Sequence, residues 1–464
     1  MHQYPEIQTK DIHNSLKNWQ NARKIRVSQI WKIAADVIRL HHFLAPLIGP
    51  MVNKGSAYTT EAEELNSLPL SPKSFTGTMP YTCQENLDHP VQEKFWQRVL
   101  WGLPLFGMMW VGAITVGATI LAVRPHMEGL LEQGSWTART GEVFSVHKPI
   151  YNIRFLDEIF GPVVLCFLPS ITGTDLQSWI QMFCFIPDFG AVYAIWLLEG
   201  YRKVHSWSAV LFPIIMGQAA QLLSVAIFGP LYYLLQYLQI SLDGTAPSNN
   251  REIDPISIYS LLPALLAGHY IPAYASFLMP DLQKRQYWNA AWQLFPLTVP
   301  LLQIPVSLSL SLQSKIITKG NTNSVKDRME KRKKSLAALR VAYGSLAVIS
   351  ATGFIYARVT APEGSSMLDI FWPGVRGYVL AGDVSFEEGI ARFLQYDQIS
   401  SMVAGFLWLG LRFRELERSG VEFSWLGGVV RLVGVVYGFG PGTAFVLGWG
   451  WKQELLHRLG IEDL

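Results

Sequence analysis

Six side chains combine reactive chemistry with an apolar setting: Asp157, Glu158, Asp188, Glu199, Arg202 and His269. Asp157 and Glu158 lie in Phe155-Leu156-Asp157-Glu158-Ile159-Phe160, and Asp188 in Phe185-Ile186-Pro187-Asp188-Phe189-Gly190. Glu199 and Arg202 close an apolar run in Leu198-Glu199-Gly200-Tyr201-Arg202, and His269 interrupts another. Ionisable groups are costly in hydrocarbon, so each is a candidate for proton chemistry by default. Each also has a plain reading. Asp157, Glu158, Glu199, Arg202 and Asp281 fall at the ends of apolar runs, where headgroups solvate charge. His269 could be an interhelical hydrogen bonder, and Arg431 could snorkel. Asp188 sits in the middle of the run 179–198, and that position is hardest to explain structurally.

Aromatic residues crowd the same runs. Phe189, Tyr193 and Trp196 follow Asp188, Tyr270 and Tyr274 follow His269, and Trp292 belongs to the next run. Many such rings face lipid or form an interfacial belt. An acid beside aromatic faces also suits carbocation chemistry, because ring quadrupoles attract a delocalised cation and a dry cavity keeps water from quenching it.

Other chemistries lack their residues. Magnesium held against a diphosphate needs clustered carboxylates, and the chain has neither Asp-Asp-x-x-Asp nor Asp-x-Asp-Asp. No Walker loop, His-Glu-x-x-His or Gly-x-Ser-x-Gly occurs. We therefore expect no metal ligands and no cofactor.

The elements that must position these residues follow from composition. Of 464 residues, 50% are hydrophobic and only 16% charged, well below the ~25% charged of a soluble domain. Three cysteines cannot form a disulfide framework, and a net charge of +3 offers no case for nucleic acid. A membrane-crossing helix takes about 20 mostly apolar residues. Residues 99–123, 206–242, 255–280, 286–314 and 432–451 supply such runs; 155–173, 179–198 and 341–357 are weaker, and 398–411 is short. The expected fold is all-α, a polytopic transmembrane bundle of eight or nine helices. Ten prolines, from Pro162 to Pro305, interrupt neighbouring runs. Proline kinks a helix, and broken helices are tolerated at membrane depth where they line a cavity. An intramembrane pocket between kinked helices two to six follows.

Residues 98–314 hold the first six helices and 341–464 the last three. Between them, residues 315–340 carry nine Lys/Arg against Asp327 and Glu330, a net +7 in a chain of +3. The positive-inside rule places this loop in the cytosol, and with six spans before it the amino terminus is cytosolic too. No cleavable signal peptide and no Asn-x-Ser/Thr sequon is visible, which fits the endoplasmic reticulum. Residues 1–97 carry ten Lys/Arg and nine Asp/Glu without a span. Within them, Val27, Ile30, Ala34, Val37 and Ile38 form one face of a basic amphipathic helix suited to membrane lipid. Residues 53–90 read as a mobile linker.

Four segments carry a resemblance: Phe155-Leu156-Asp157-Glu158; Leu197-Leu198-Glu199-Gly200-Tyr201-Arg202; Leu262-Pro263-Ala264 through His269-Tyr270-Ile271-Pro272; and Trp288-Asn289-Ala290-Ala291-Trp292-Gln293-Leu294-Phe295-Pro296. Together they resemble the fungal integral-membrane terpene cyclases of meroterpenoid pathways of the ascochlorin and macrophorin type. The resemblance implies metal-free cyclisation of a lipophilic prenylated precursor or its epoxide, started by a proton and downstream of a prenyltransferase and an epoxidase. A carboxylic acid kept neutral by desolvation is a fitting donor. Asp188 or Asp157 would give the proton, and His269 or Glu199 would take the last one or orient the substrate. Arg202 would hold a carboxylate, with Phe189, Tyr193, Trp196, Tyr270, Tyr274 and Trp292 around the chain. Two rivals use the same residues: a proton-coupled small-molecule transporter and a non-catalytic membrane partner of a pathway. The orientation is testable alone. A tag inserted at Lys319 is expected to be reached by a cytosolic probe before the membrane is permeabilised.

Overall fold

The structure, a computed structural model, describes residues 93–202, 207–239, 253–317, 325–373 and 384–462. The amphipathic helix and linker expected within residues 1–92 lie outside the described residues.

The chain runs as α1 (Phe95–Gln133), a hairpin of β1 (Ser135–Thr137) and β2 (Val143–Ser145), α2 (Arg154–Cys166), α3 (Leu168–Thr172) and α4 (Leu176–Gly200). It continues as α5 (Trp207–Leu223), α6 (Val225–Gln239), α7 (Pro255–Leu278), α8 (Leu282–Trp292) and α9 (Phe295–Ile317). The remaining helices are α10 (Val325–Thr360), α11 (Met367–Phe371), α12 (Phe386–Arg418), α13 (Trp425–Phe439) and α14 (Pro441–Glu462). The protein is an all-α bundle, and α1, α4, α7, α9 and α10 contain stretches long and apolar enough to cross a membrane.

Fourteen described helices exceed the eight or nine expected, for local reasons. The uncharged run 206–242 breaks at Ser224, the run 286–314 at Gln293, the run 432–451 at Gly440, and the run 155–173 at Phe167 ahead of Pro169. Hydropathy cannot see a change of direction inside an apolar run. In the opposite sense, the short run 398–411 is the middle of the 33-residue α12. Its charged flanks, Asp397, Arg412 and Glu415, are buried and partnered rather than solvated. The basic stretch read as a loop is helical from Val325 onward, as the first turns of α10.

Helix α4 is the axis of the bundle. Of its apolar window, 94% is buried, against 22% for α1 and for α9. It packs against α5, α7, α10, α12 and α14, and Asp175 starts it by accepting from the Gln177 amide at 3.1 Å. In α7 a π turn at Leu266–Tyr270 precedes Pro272. Proline has no N–H for the Gly268 carbonyl four residues back. That carbonyl accepts instead from the Thr298 hydroxyl of α9, at 3.4 Å.

Close backbone approach joins α1 to α6. A Cβ at Gly112 would overlap the Ala226 carbonyl, whereas one at Gly117 would meet open space. Gly112→Ala should therefore destabilise by about 1–3 kcal/mol through overpacking. Gly117→Ala should be neutral or stabilising by up to ~1 kcal/mol through helix propensity. Thermal unfolding of the two variants in detergent checks this, and equal melting temperatures would contradict the packing.

Candidate functional site

Two cavities share Pro162 in their linings. The larger, about 660 Å³, lies under the hairpin and the start of α2 and opens to the surface at Lys148, Asn152, Arg154 and Glu158. Asp157 lines it. Asp157 Oδ1 accepts from the backbone amides of Ile150 and Tyr151, both at 2.8 Å, and so ties the loop after β2 to α2. Its Oδ2 is buried without a partner. Burial, and then the Asp157 carboxylate beside it, push the Tyr151 hydroxyl up; the phenol donates to the Ala290 carbonyl at 2.7 Å. Glu158 pairs with Arg154 at 2.8 Å on the exposed face.

The smaller cavity, about 210 Å³, lies inside the bundle. Aromatic walls come from Phe167, Phe185, Phe189, Trp292 and Phe393. Phe167 meets Trp292 edge-on with centroids 5.1 Å apart, and Phe185 stacks on Phe189 at 5.7 Å. Of the residues expected around a substrate, Phe189 and Trp292 line this cavity. Tyr193, Trp196, Tyr270 and Tyr274 line neither cavity. Tyr193 donates to the Pro296 carbonyl at 2.6 Å, Trp196 stacks on Tyr232 at 4.2 Å, Tyr270 packs edge-on against His269, and Tyr274 packs on Phe183.

One carboxyl lines the aromatic cavity, and it is Asp397. The side chain is buried, accepts from the Ser224 hydroxyl, and accepts from the Ala226 amide at 3.0 Å. Sequence reasoning missed it because Asp397 lies one residue outside the short run 398–411. The spacing Phe393, Leu394, Asp397 on one helical face was the available signal.

The other candidates separate. Asp188 is buried in α4, where Oδ1 accepts from the Ser350 hydroxyl of α10 and Oδ2 has no partner. Gly442, in the first turn of α14, lies against the carboxylate so closely that any Cβ there would collide with it. His269 is fully buried. Its Nδ1 accepts from Trp292 Nε1 at 3.1 Å, which leaves the proton on Nε2 to donate to the Ile186 carbonyl at 3.0 Å. Both ring nitrogens are thus engaged, and the imidazole fixes the Trp292 ring in the cavity wall.

Glu199 and Arg202 sit elsewhere, in a buried ionic network. Glu199 accepts from Arg202 Nε at 2.7 Å, Lys452 Nζ at 2.6 Å and Trp449 Nε1 at 2.7 Å. Arg202 also donates to Gln453 at 2.7 Å. Nearby, Glu415 joins Arg98 and Arg412 at 2.7 and 2.6 Å, and Gln236 accepts from Arg412 and from Trp408. Arg202 holds a carboxylate, but the carboxylate is the protein's own. Among the described residues, no three His, Cys, Asp or Glu side chains converge as metal ligands would.

The sequence matches the CtvD domain over residues 101–456. The chain belongs to the CtvD domain family. A terpene cyclase of Acremonium egyptiacum, ascI, is 25% identical over 373 residues, spanning 76% of this chain and 92% of that protein. An FAD-dependent monooxygenase of Penicillium roqueforti, anuJ, is 26% identical over 396 residues, and a second, of Penicillium polonicum, is 25% identical over 468. These alignments cover 85% and 97% of this chain but 45% and 55% of the relatives, so the CtvD chain spans about half the length of the monooxygenases it matches. The resemblance to fungal terpene cyclases drawn from the four segments holds at this level of identity. No solved structure matches the chain.

The ionic network makes a stability prediction. Removing one partner of a buried charge pair costs about 3–5 kcal/mol. Glu199→Gln keeps the shape but leaves Arg202 and Lys452 without their carboxylate, so its melting temperature and membrane yield should fall sharply. Glu158→Gln, at an exposed pair, should stay within about 0.5 kcal/mol.

Proposed function

We propose that this CtvD-family chain is a membrane-bound terpene cyclase that closes rings on a prenylated precursor, or its epoxide, by acid initiation without a metal. The observation that carries the reading is a small cavity among the helices, walled by five aromatic side chains and bearing a carboxylic acid. Cyclisation through cations needs those parts: a proton donor, π-faces opposite the developing charge, and exclusion of water until the last proton leaves. Similarity to a terpene cyclase over nearly that protein's whole length supports it. The larger cavity, open at the surface and carrying Asp157 and Gln286 in its lining, suits the ring that carries the prenyl chain, with the chain passing Pro162 into the aromatic one.

Relatives named as FAD-dependent monooxygenases raise flavin as an alternative. A dinucleotide seat of the Rossmann type takes a Gly-x-Gly-x-x-Gly turn between a strand and a helix. The sequence contains no such run, and among the described residues the strands are the three-residue pair β1 and β2. The described residues therefore offer no Rossmann-type seat for a flavin dinucleotide. In this reading an epoxidase and a prenyltransferase act upstream, in the endoplasmic reticulum membrane, with the amino terminus of this chain cytosolic.

Membranes from a host expressing the chain, fed a farnesylated quinol or its terminal epoxide, should yield a cyclic isomer of unchanged mass. Turnover should survive EDTA. Loss of product on chelation, restored by magnesium, would replace acid initiation with ionisation chemistry.

A further inference from the structure

We propose that Asp397, rather than Asp188, delivers the initiating proton; this rests on the cyclase reading and assigns its donor. Asp397 lines the aromatic cavity, whereas Asp188 lines neither cavity and is closed in by Ser350 and Gly442. Asp188 thereby pins the start of α14 and the middle of α10 to α4, which is work for a positioning residue.

Asp397 is held as a donor should be. One oxygen, Oδ1, is fixed by the Ser224 hydroxyl and the Ala226 amide in the first turn of α6. Ser224 adopts φ 129°, a left-handed region that non-glycine residues rarely enter. Such strain persists where the surroundings over-determine it and clusters at functional sites. Here it turns the chain between α5 and α6 so that Ser224 Oγ reaches Asp397 while also accepting from the Ala226 amide at 3.1 Å. Oδ2 is the oxygen these contacts leave for a ligand. Gln221, Ser224 and Cys166 are the other polar side chains of the lining, all weaker acids than a carboxyl.

The step balances. The Asp397 O–H bond breaks and its proton passes to the epoxide oxygen as a C–O bond opens, or to the terminal carbon of an olefin. Electron pairs of successive double bonds form the ring C–C bonds, with Phe189 and Trp292 facing the cation. The last cation loses a C–H proton to water at the cavity mouth, and the Asp397 carboxylate takes up one proton from the same water, so the carboxylic acid is restored and product is an isomer of substrate.

The test compares wild type, Asp397→Asn, Asp397→Glu and Asp188→Asn in membranes, measuring cyclic product per unit of accumulated protein. Asparagine keeps an oxygen for Ser224 and Ala226 but cannot give the proton. Asp397→Asn should therefore lose about 10²–10⁴-fold in product at normal accumulation, with partial recovery in Asp397→Glu. Product kept by Asp397→Asn and lost by Asp188→Asn returns the donor role to Asp188 and overturns the proposal. Should Asp397→Asn fail to accumulate, Ser224→Ala decides. That variant removes a donor to the carboxyl and should move the upper limb of the pH profile of turnover; an unmoved limb overturns the proposal. Wild-type membranes that make no cyclic isomer from either precursor overturn the cyclase reading, and the donor with it. Equal product from wild type and Asp397→Asn removes Asp397 alone.

Discussion

Four polar side chains on α4 find partners on other helices, and those pairings fix its place in the bundle. Gln181 donates to Gln398 of α12 at 2.9 Å, Asp188 accepts from Ser350 of α10, Tyr193 reaches the Pro296 carbonyl of α9, and Glu199 gathers Lys452 and Trp449 of α14. With water absent from the interior, an unmade bond costs the full desolvation of its group. Four successive levels along one helix thus choose four neighbours. Apolar packing alone is too permissive to specify them, because lipid competes equally well for a Leu or an Ile surface.

The same logic divides what the sequence disclosed from what it concealed. The helical class and the apolar runs of α1, α7 and α9 were legible because hydropathy is a local property, whereas α4 and α10 came from runs ranked weaker and the long runs 206–242 and 432–451 are each divided between two helices. Asp188, Glu199 and His269, singled out as ionisable groups in or at the end of apolar runs, are buried, but burial does not say which of them faces empty space. That depends on partners far along the chain: Ser350, Lys452 and Trp292 satisfy them. Asp397 escaped notice for the complementary reason. A carboxylate at the edge of a modest apolar run looks like a solvated end until Ser224, 173 positions away, closes over it.

The aromatic rings show a similar limit. Six were expected near a substrate, and Phe189 and Trp292 are the two that reach the cavity wall. Helical periodicity distinguishes faces, yet α4 is buried on all sides, so no face of it announces itself as the one beside a void. Phe167 comes from the turn between α2 and α3, Phe185 from α4 and Phe393 from α12, and they share no pattern in sequence.

Leu223 is 62% exposed and yet lines the aromatic cavity, together with Ile120 of the largely uncovered α1. The cavity therefore borders the outer wall of the bundle, beside the surface that acyl chains would cover. A greasy molecule dissolved in the bilayer reaches such a wall by lateral diffusion, without first shedding lipid for water. Its occupancy is governed by mole fraction in the membrane, so that diluting the substrate with inert lipid competes with binding while diluting the aqueous phase does not.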